Sequence, residues 1–193
     1  MLKIVQVGEA VLRQRARELS PAEIESAEIQ NLIAAMKETM YAAPGVGLAA
    51  PQIGESLQLA VIEDRAKYHQ LSPRQLQERE RVPLPFQVVI NPKLTVLEAG
   101  PATFFEGCLS FSGFVGAVPR ALAVRVECLN EHAEAIVIEA RGWHARILQH
   151  EIDHLHGHVC IDRMLLRTLM TSENYARYWK DVPVAETLQS LQP

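Results

Sequence analysis

Two histidines and a glutamate lie together in the segment His150-Glu151-Ile152-Asp153-His154. In a helix, positions i and i+4 share one face, so both imidazoles could reach the same ion. Glu151 directly follows the first histidine and could lean toward a water molecule there. Two nitrogen ligands, an open coordination position and a carboxylate base are what metal-assisted hydrolysis requires. The segment predicts a catalytic metal site, and the alternative is a histidine-rich, partly exposed helix end.

A third ligand has to come from elsewhere, because a catalytic metal of this type usually has three protein ligands and a water molecule. Downstream candidates are His158 and Asp162, although neither has a spacing typical of zinc proteases. The other candidate is Cys108 in the segment 106–110 (EGCLS), where Gly107 would allow a close backbone approach. Cys108 could instead be the nucleophile of a metal-free Cys/His hydrolase. The residues alone leave these possibilities open.

The remaining cysteines and histidines have no assigned chemistry. Cysteines outside a motif are most often small buried apolar residues, which is the interpretation for Cys128 and Cys160. Histidine is common around the motif, and His144, His156 and His158 are interpreted as ordinary structural residues.

A glycine-bearing loop is predicted over residues 45–54 (GVGLAAPQIG). It lacks the lysine and the serine or threonine of a phosphate loop, so nucleotide binding is not expected. Gln52 is a neutral donor and acceptor on this constrained loop, which suits the stabilisation of an oxyanion. The alternative is a simple turn between a helix and a strand.

The elements that position these motifs can be read from the pattern. Ser20, Pro21 and Glu23 form a capping box that begins a core-facing helix ending near Tyr41. A second helix is predicted from Trp143 to about His156, where Gly157 ends it in a left-handed conformation. Strands are predicted at 57–62, 86–90, 95–98, 121–129 and 135–140, an exposed loop with some helix at 64–85, and a short helical tail at 168–179. Strands clustered around two helices without regular alternation predict an α+β fold in one domain over residues 1–193, with a less certain tail from about residue 169.

Composition and charge narrow the class of protein. The 193 residues are 48% hydrophobic and 22% charged, with a formal net charge of −4, as in ordinary globular proteins. There is no basic footprint, so nucleic acid is not an expected partner. An odd number of widely spaced cysteines argues against a disulfide framework and favours a reducing compartment. No apolar stretch reaches about 18 residues, so no transmembrane segment is predicted.

Taken together and in chain order, the three motifs resemble those of the peptide deformylases, which are GxGLAAxQ, EGCxS and HExDH. All three are complete here, and weaker similarity extends from Ile4 to Met164. The resemblance implies Cys108, His150 and His154 as metal ligands. It also implies mostly antiparallel β-sheets around a central metal-binding helix.

The resemblance further implies roles for three residues in the reaction. Glu151 would be the general acid and base, while the Gln52 side chain and the backbone N–H of Leu109 would hold the oxyanion. An apolar pocket for the methionine side chain would include Val46, Gly47, Trp143 and Ile147. The implied activity is hydrolysis of the N-terminal formyl group of formyl-methionyl polypeptides, which releases formate. A zinc endopeptidase using the same helix is the main alternative.

The resemblance implies Fe²⁺ as the native ion, with Zn²⁺, Ni²⁺ or Co²⁺ able to occupy the same site. It implies a formyl-methionyl peptide as the substrate and the ribosome near its exit tunnel as a candidate partner. The arginine that many bacterial members carry after EGCxS is absent from residues 111–115, and Ala10 replaces a usual proline. Gly142-Trp143 and Arg146-Ile147 resemble the organellar-type subclass, which also occurs in bacteria. A bacterial cytoplasm is the expected location, and a mature organellar form is the alternative.

Overall fold

A computed structural model describes residues 1–43, 45–65 and 71–191. Its main feature is a six-stranded sheet in which every strand pair is antiparallel. The strands are β1 (Gly47–Ala49), β2 (Leu59–Asp64), β3 (Leu84–Cys108), β4 (Phe111–Leu129), β5 (Ala135–Arg141) and β6 (Met170–Thr171). Strands β1 to β5 are neighbours in chain order, and β6 pairs with β4. The predicted α+β class with mostly antiparallel strands is confirmed.

The long hairpin of β3 and β4 carries the cysteine motif. Cys108 ends β3 and pairs with Phe111, the first residue of β4, so the motif lies at the hairpin tip. Residues 86–90 and 95–98 are extended as predicted, but they belong to the single strand β3 rather than to two strands. Register shifts after Ile90 and after Val96 are the physical reason. Such bulges absorb an extra residue and let a strand continue with a bend.

The second predicted helix is confirmed as α4 (Gly142–Leu155). Its apolar face, including Ile147, Leu148 and Ile152, is buried against the sheet with Val124 and Val126. Gly157 follows the helix with φ +78, the left-handed conformation that glycine adopts most easily. This burial fixes the helix that carries the histidine motif across the middle of the sheet.

The predicted first helix is divided into α1 (Pro21–Ile24) and α2 (Ala27–Ala42). The capping box of Ser20 and Glu23 is present as predicted. Ser26 begins a second helix, because its hydroxyl accepts a hydrogen bond from the N–H of Ile29 at 3.3 Å. The single-helix prediction missed this second N-cap.

The predicted loop at 45–54 is also more structured than expected, since it contains β1 and a 3-10 turn at Ala50–Ile53. Residues 66–70 of the predicted loop at 64–85 lie outside the described residues. Within the rest of that loop, α3 (Pro73–Glu78) supplies the expected piece of helix.

The predicted helical tail at 168–179 is confirmed over residues 172–179 and wrong near its start. Its first residues form β6, because Met170 and Thr171 pair with Val115 and Phe114 of β4. The helical part consists of α5 (Ser172–Asn174) and one π-turn (Tyr175–Trp179), and α6 (Val184–Ser190) follows. Across the described ranges, no helix is both long and apolar enough to cross a bilayer.

Candidate active site

Helix α4 and the tip of the β3–β4 hairpin bring together three side chains that could hold a metal ion. One ligand atom each from Cys108, His150 and His154 lies within 4.8 Å of the others. The Cys108 sulfur is 3.3 Å from Nε2 of His154. The two histidines are one helical turn apart, and their ring centroids are separated by 5.0 Å. The predicted i, i+4 geometry and the predicted participation of Cys108 are therefore both present.

The two other candidates for the third ligand lie elsewhere. Asp162 forms an ion pair with Arg13 at 2.5 Å and accepts a hydrogen bond from the N–H of Val159. His158 is exposed, with Nδ1 3.9 Å from Asp162. Neither residue belongs to the group that contains the motif histidines.

The chemistry of the three donors fits a divalent transition-metal ion. Imidazole nitrogens and a thiolate bind such ions at about 2.0–2.3 Å. Burial lowers the pKa of His154 well below its usual value, which keeps this imidazole in the neutral form that binds metal. Its Nε2 faces the thiol, whereas its Nδ1 is buried without a hydrogen-bond partner among the described residues.

The orientation of His150 is set by Glu106, the first residue of the cysteine motif. Its Oε2 lies 3.0 Å from Nδ1 of His150, which leaves Nε2 for an ion. Burial alone would lower the pKa of His150, but the hydrogen bond to Glu106 and the negative charges of Glu151 and Glu106 together outweigh it, so the net shift is upward. Burial likewise opposes the ionisation of Glu106, yet Arg120 and His150 hold its pKa well below the ordinary value.

A buried ion-pair network supports this carboxylate. Arg120 donates to Glu106 at 2.6 and 2.9 Å and to Asp153 at 2.9 Å. Arg146 also pairs with Glu106, and Arg163 donates to Asp153 at 2.7 and 2.8 Å. Because Asp153 is on α4 and Glu106 is on β3, Arg120 links the helix that carries both histidines to the strand that leads to Cys108.

Glu151 is a buried carboxylate with an unused oxygen. It is 5% exposed, and its Oε2 has no hydrogen-bond partner among the described residues. Burial raises its pKa to about 7, which suits a group that must accept and release a proton near neutral pH. Gly47 lies so close that a Cβ there would be 2.8 Å from Cγ of Glu151 and closer still to the carboxylate.

Gln52 is fixed with its amide nitrogen toward the thiol. The N–H of Ala49 donates to its Oε1 at 2.9 Å, which settles the orientation of the amide. Its Nε2 lies 3.6 Å from the Cys108 sulfur and 3.3 Å from the Ser110 hydroxyl. A buried donor held in this way costs little reorganisation when negative charge develops nearby.

Several residues of the site line one cleft of about 470 Å³. Cys108, His150, Glu151 and Gln52 contribute to its wall together with Leu109. The four residues predicted to contact substrate line the same cleft, namely Val46, Gly47, Trp143 and Ile147.

Several residues of this site were not predicted from the sequence. Glu106 and Ser110 lie inside the EGCLS motif at 106–110, so the motif itself was the signal. Arg120 had no such signal, because its partners lie in other elements. Arg79, in the segment predicted as a loop at 64–85, and Tyr175, in the predicted tail, also line the cleft.

Comparison with known proteins agrees with this geometry. The sequence profile described as polypeptide deformylase matches residues 1–168. The chain is 44% identical to peptide deformylase 1A, chloroplastic/mitochondrial, of Arabidopsis thaliana over 99% of this chain and 70% of that protein. It is 45% identical to peptide deformylase 1 of Streptomyces coelicolor over 92% of this chain and 80% of that protein.

A solved structure agrees as well. The class I type b peptide deformylase of Acinetobacter baumannii with Met-Ala-Ser bound superposes with a TM-score of 0.76 at 32% identity, covering 84% of this chain and 98% of that one. Enzymes of this class are metal-dependent hydrolases that remove the N-terminal formyl group from nascent polypeptides. The chain belongs to the polypeptide deformylase family and is an enzyme of this kind.

Proposed function

We propose that Cys108, His150 and His154 hold one divalent ion at the centre of the deformylation reaction. The observation that carries this proposal is the convergence of their ligand atoms beside a cleft lined by Cys108, His150 and Glu151, a buried carboxylate that has a free oxygen. Structural metal sites are closed by four protein ligands, whereas catalytic sites keep a position open. Three protein ligands beside an unused base are what the catalytic kind requires.

Glu151 moves the proton in this scheme. When bound, the ion would make a hydroxide nucleophile available at neutral pH and polarise the formyl carbonyl. Glu151 accepts the proton of the attacking water through Oε2. It then gives that proton to the departing amine, so formate and a free N-terminus are released. The burial that raises the pKa of Glu151 to about 7 matches both transfers.

Gln52 and Leu109 stabilise the oxyanion of the tetrahedral intermediate. The Gln52 amide nitrogen is the first donor, and the hydrogen bonds with Ala49 and Ser110 fix its orientation. The backbone N–H of Leu109, directly after Cys108, is the second donor. Removing one donor of this kind typically costs roughly 3 kcal/mol of transition-state stabilisation.

The methionine side chain of the substrate packs against the apolar wall of the cleft. Val46, Trp143 and Ile147 provide that wall, and Gly47 lets the peptide approach Glu151 closely. The Met-Ala-Ser bound to the Acinetobacter baumannii enzyme begins with the same residue, which supports this placement.

For the native ion we propose Fe²⁺, with Zn²⁺, Ni²⁺ and Co²⁺ as functional replacements. One thiolate and two imidazoles make a donor set of intermediate softness that accepts any of these ions. Metal analysis of protein purified without oxygen tests this assignment.

The setting we propose is a bacterial cytoplasm, with an organelle as the alternative, since curated relatives come from both. Nascent chains carry the formyl group, so the ribosome near its exit tunnel is the proposed meeting place, which co-sedimentation would test. We also propose that residues 1–193 act as one domain. The pairing of β6 with β4 supports the inclusion of the tail.

The test of the proposed function uses formyl-Met-Ala-Ser with its C-terminus amidated. Formate and free amine should appear in equal amounts, disappear with a chelator and return when a divalent ion is added. Cleavage of internal peptide bonds would instead support the endopeptidase alternative. Activity that resists the chelator but is lost on thiol alkylation would support Cys108 as a nucleophile.

A further inference from the structure

Arg79, at the end of α3, lines the same cleft as Cys108 and His150. Its guanidinium lies over the ring of Trp143 at 4.9 Å and over Phe104 at 5.8 Å from the centroids. Its Nη2 is 3.5 Å from the hydroxyl of Tyr175. An arginine that stacks on aromatic rings keeps its positive charge. The N–H groups at the edge of its guanidinium can then donate hydrogen bonds to a ligand.

The backbone around Arg79 is held in place. Glu80 forms an ion pair with Arg141 at 2.9 Å, and Arg81 donates to the buried Asp64 at 2.7 and 3.0 Å. Gly142 packs so closely here that a Cβ on it would be 2.8 Å from the carbonyl oxygen of Arg79. The backbone position of Arg79 is therefore fixed by its neighbours.

No carboxylate among residues 1–43, 45–65 and 71–191 forms an ion pair with Arg79. Arg74 and Arg81 of the same segment both have acidic partners. The other guanidinium in the cleft, that of Arg146, is paired with Glu106. Arg79 thus leaves a half-buried positive charge uncompensated on the wall of a substrate cleft.

We propose that Arg79 is a specificity-determining residue that binds a carboxylate on the substrate, carried by one of the first residues after formyl-methionine. A planar guanidinium with free edge N–H groups matches a carboxylate in a two-bond geometry. The inference rests on the proposed function and deepens it, because it names a preferred class of nascent chain. Acidic chains are processed faster than neutral chains of the same shape.

The test compares formyl-Met-Asp-Ser with formyl-Met-Asn-Ser, and formyl-Met-Ala-Asp with formyl-Met-Ala-Asn. All four peptides are amidated, so an aspartate side chain carries the only carboxylate. In at least one pair, wild-type kcat/KM should favour aspartate by roughly two- to fivefold, the range of a partly exposed ion pair. The preference should appear mainly in KM and shrink as salt is added.

Variants show whether Arg79 is responsible for the aspartate preference. The aspartate preference should fall to about onefold in R79Q and return in part in R79K. It should persist in R74Q, because Arg74 is on the same helix but pairs with Glu78 and does not line the cleft. Equal rates for both members of each pair in wild type, or an unchanged preference in R79Q, would overturn the proposal.

Two further results keep the test decisive. Should R79Q fail to fold, the salt dependence of the wild-type preference decides, and a preference that salt does not change contradicts the proposal. Absence of formate release from every peptide would count against the proposed function instead, so the two failures can be told apart.

Discussion

Oε2 of Glu106 lies 3.0 Å from Nδ1 of His150, inside the cluster of buried charges that also contains Arg120. A carboxylate in this position fixes the ring and its tautomer and makes the other nitrogen a better ligand. The strand that ends in Cys108 therefore also orients the first histidine of α4. This relationship explains why two distant motifs can form one site.

Replacing Glu106 with Gln should weaken metal binding by roughly 10- to 100-fold, the usual effect of removing a partner of a metal-binding histidine. It also leaves the buried Arg120 with less compensating charge, which should reduce the free energy of unfolding by about 3 kcal/mol. Metal affinity is measured by competition with a chromophoric chelator.

The matched control is Glu127→Gln, which breaks only an exposed ion pair with Arg125. Its metal affinity and stability should equal those of wild type. A folded Glu106→Gln protein with wild-type metal affinity would show that Glu106 does not orient His150.

Replacing Glu151 with Gln keeps the size of the side chain and removes the carboxylate. We expect kcat to fall by roughly 100-fold or more, which is the usual contribution of a positioned acid and base. Metal content should remain at one ion per chain, since Glu151 is not one of the grouped ligands. Near-normal turnover with a loaded site would exclude Glu151 from this role.

Gly47→Ala should reduce turnover without removing the metal. The new Cβ would lie 2.8 Å from Cγ of Glu151, so the carboxylate must move from its place. A tenfold or larger loss of kcat is expected, because small displacements of a catalytic group are costly. Gly100→Ala is the control, since a Cβ there meets no atom within 4 Å. Equal activity of the two variants would contradict the close approach of Gly47 and Glu151.

Air should inactivate the protein when it is loaded with iron. Oxygen can react at an open position beside the Cys108 thiolate, oxidise the iron and carry the sulfur to higher oxidation states. Zinc has no redox chemistry, so the zinc form should survive, and the nickel form should outlast the iron form. Activity and metal content are followed against time in air for the three forms. Equal lifetimes of the iron and nickel forms would remove iron oxidation as the cause.

The sequence predicted structure correctly where the pattern involves residues only a few positions apart. The i, i+4 spacing of His150 and His154 predicted the helix face correctly, because helical periodicity places these residues together whatever else surrounds them. The capping box of Ser20 was equally local. The second cap at Ser26 was missed, because apolar periodicity continues through it.

Long-range pairing could not be predicted in the same way. Arg120 contacts Glu106 on another strand and Asp153 on α4, and nothing in the spacing of these residues indicates that they meet. Arg79 reaches the cleft only because its segment packs against Gly142. The motifs thus identified the chemistry. Arg120, which supports the site, and Arg79, which is proposed to select the substrate, were visible only in the fold.

The most direct test of the metal centre is the metal content of Cys108→Ala beside that of Cys128→Ala. Both cysteines are free, but only Cys108 belongs to the metal-binding group. We predict one divalent ion per chain and full deformylation in Cys128→Ala. In Cys108→Ala we predict loss of both ion and activity, because two imidazoles alone hold an ion poorly. A folded Cys108→Ala protein that keeps one ion per chain and releases formate at the wild-type rate would contradict the account.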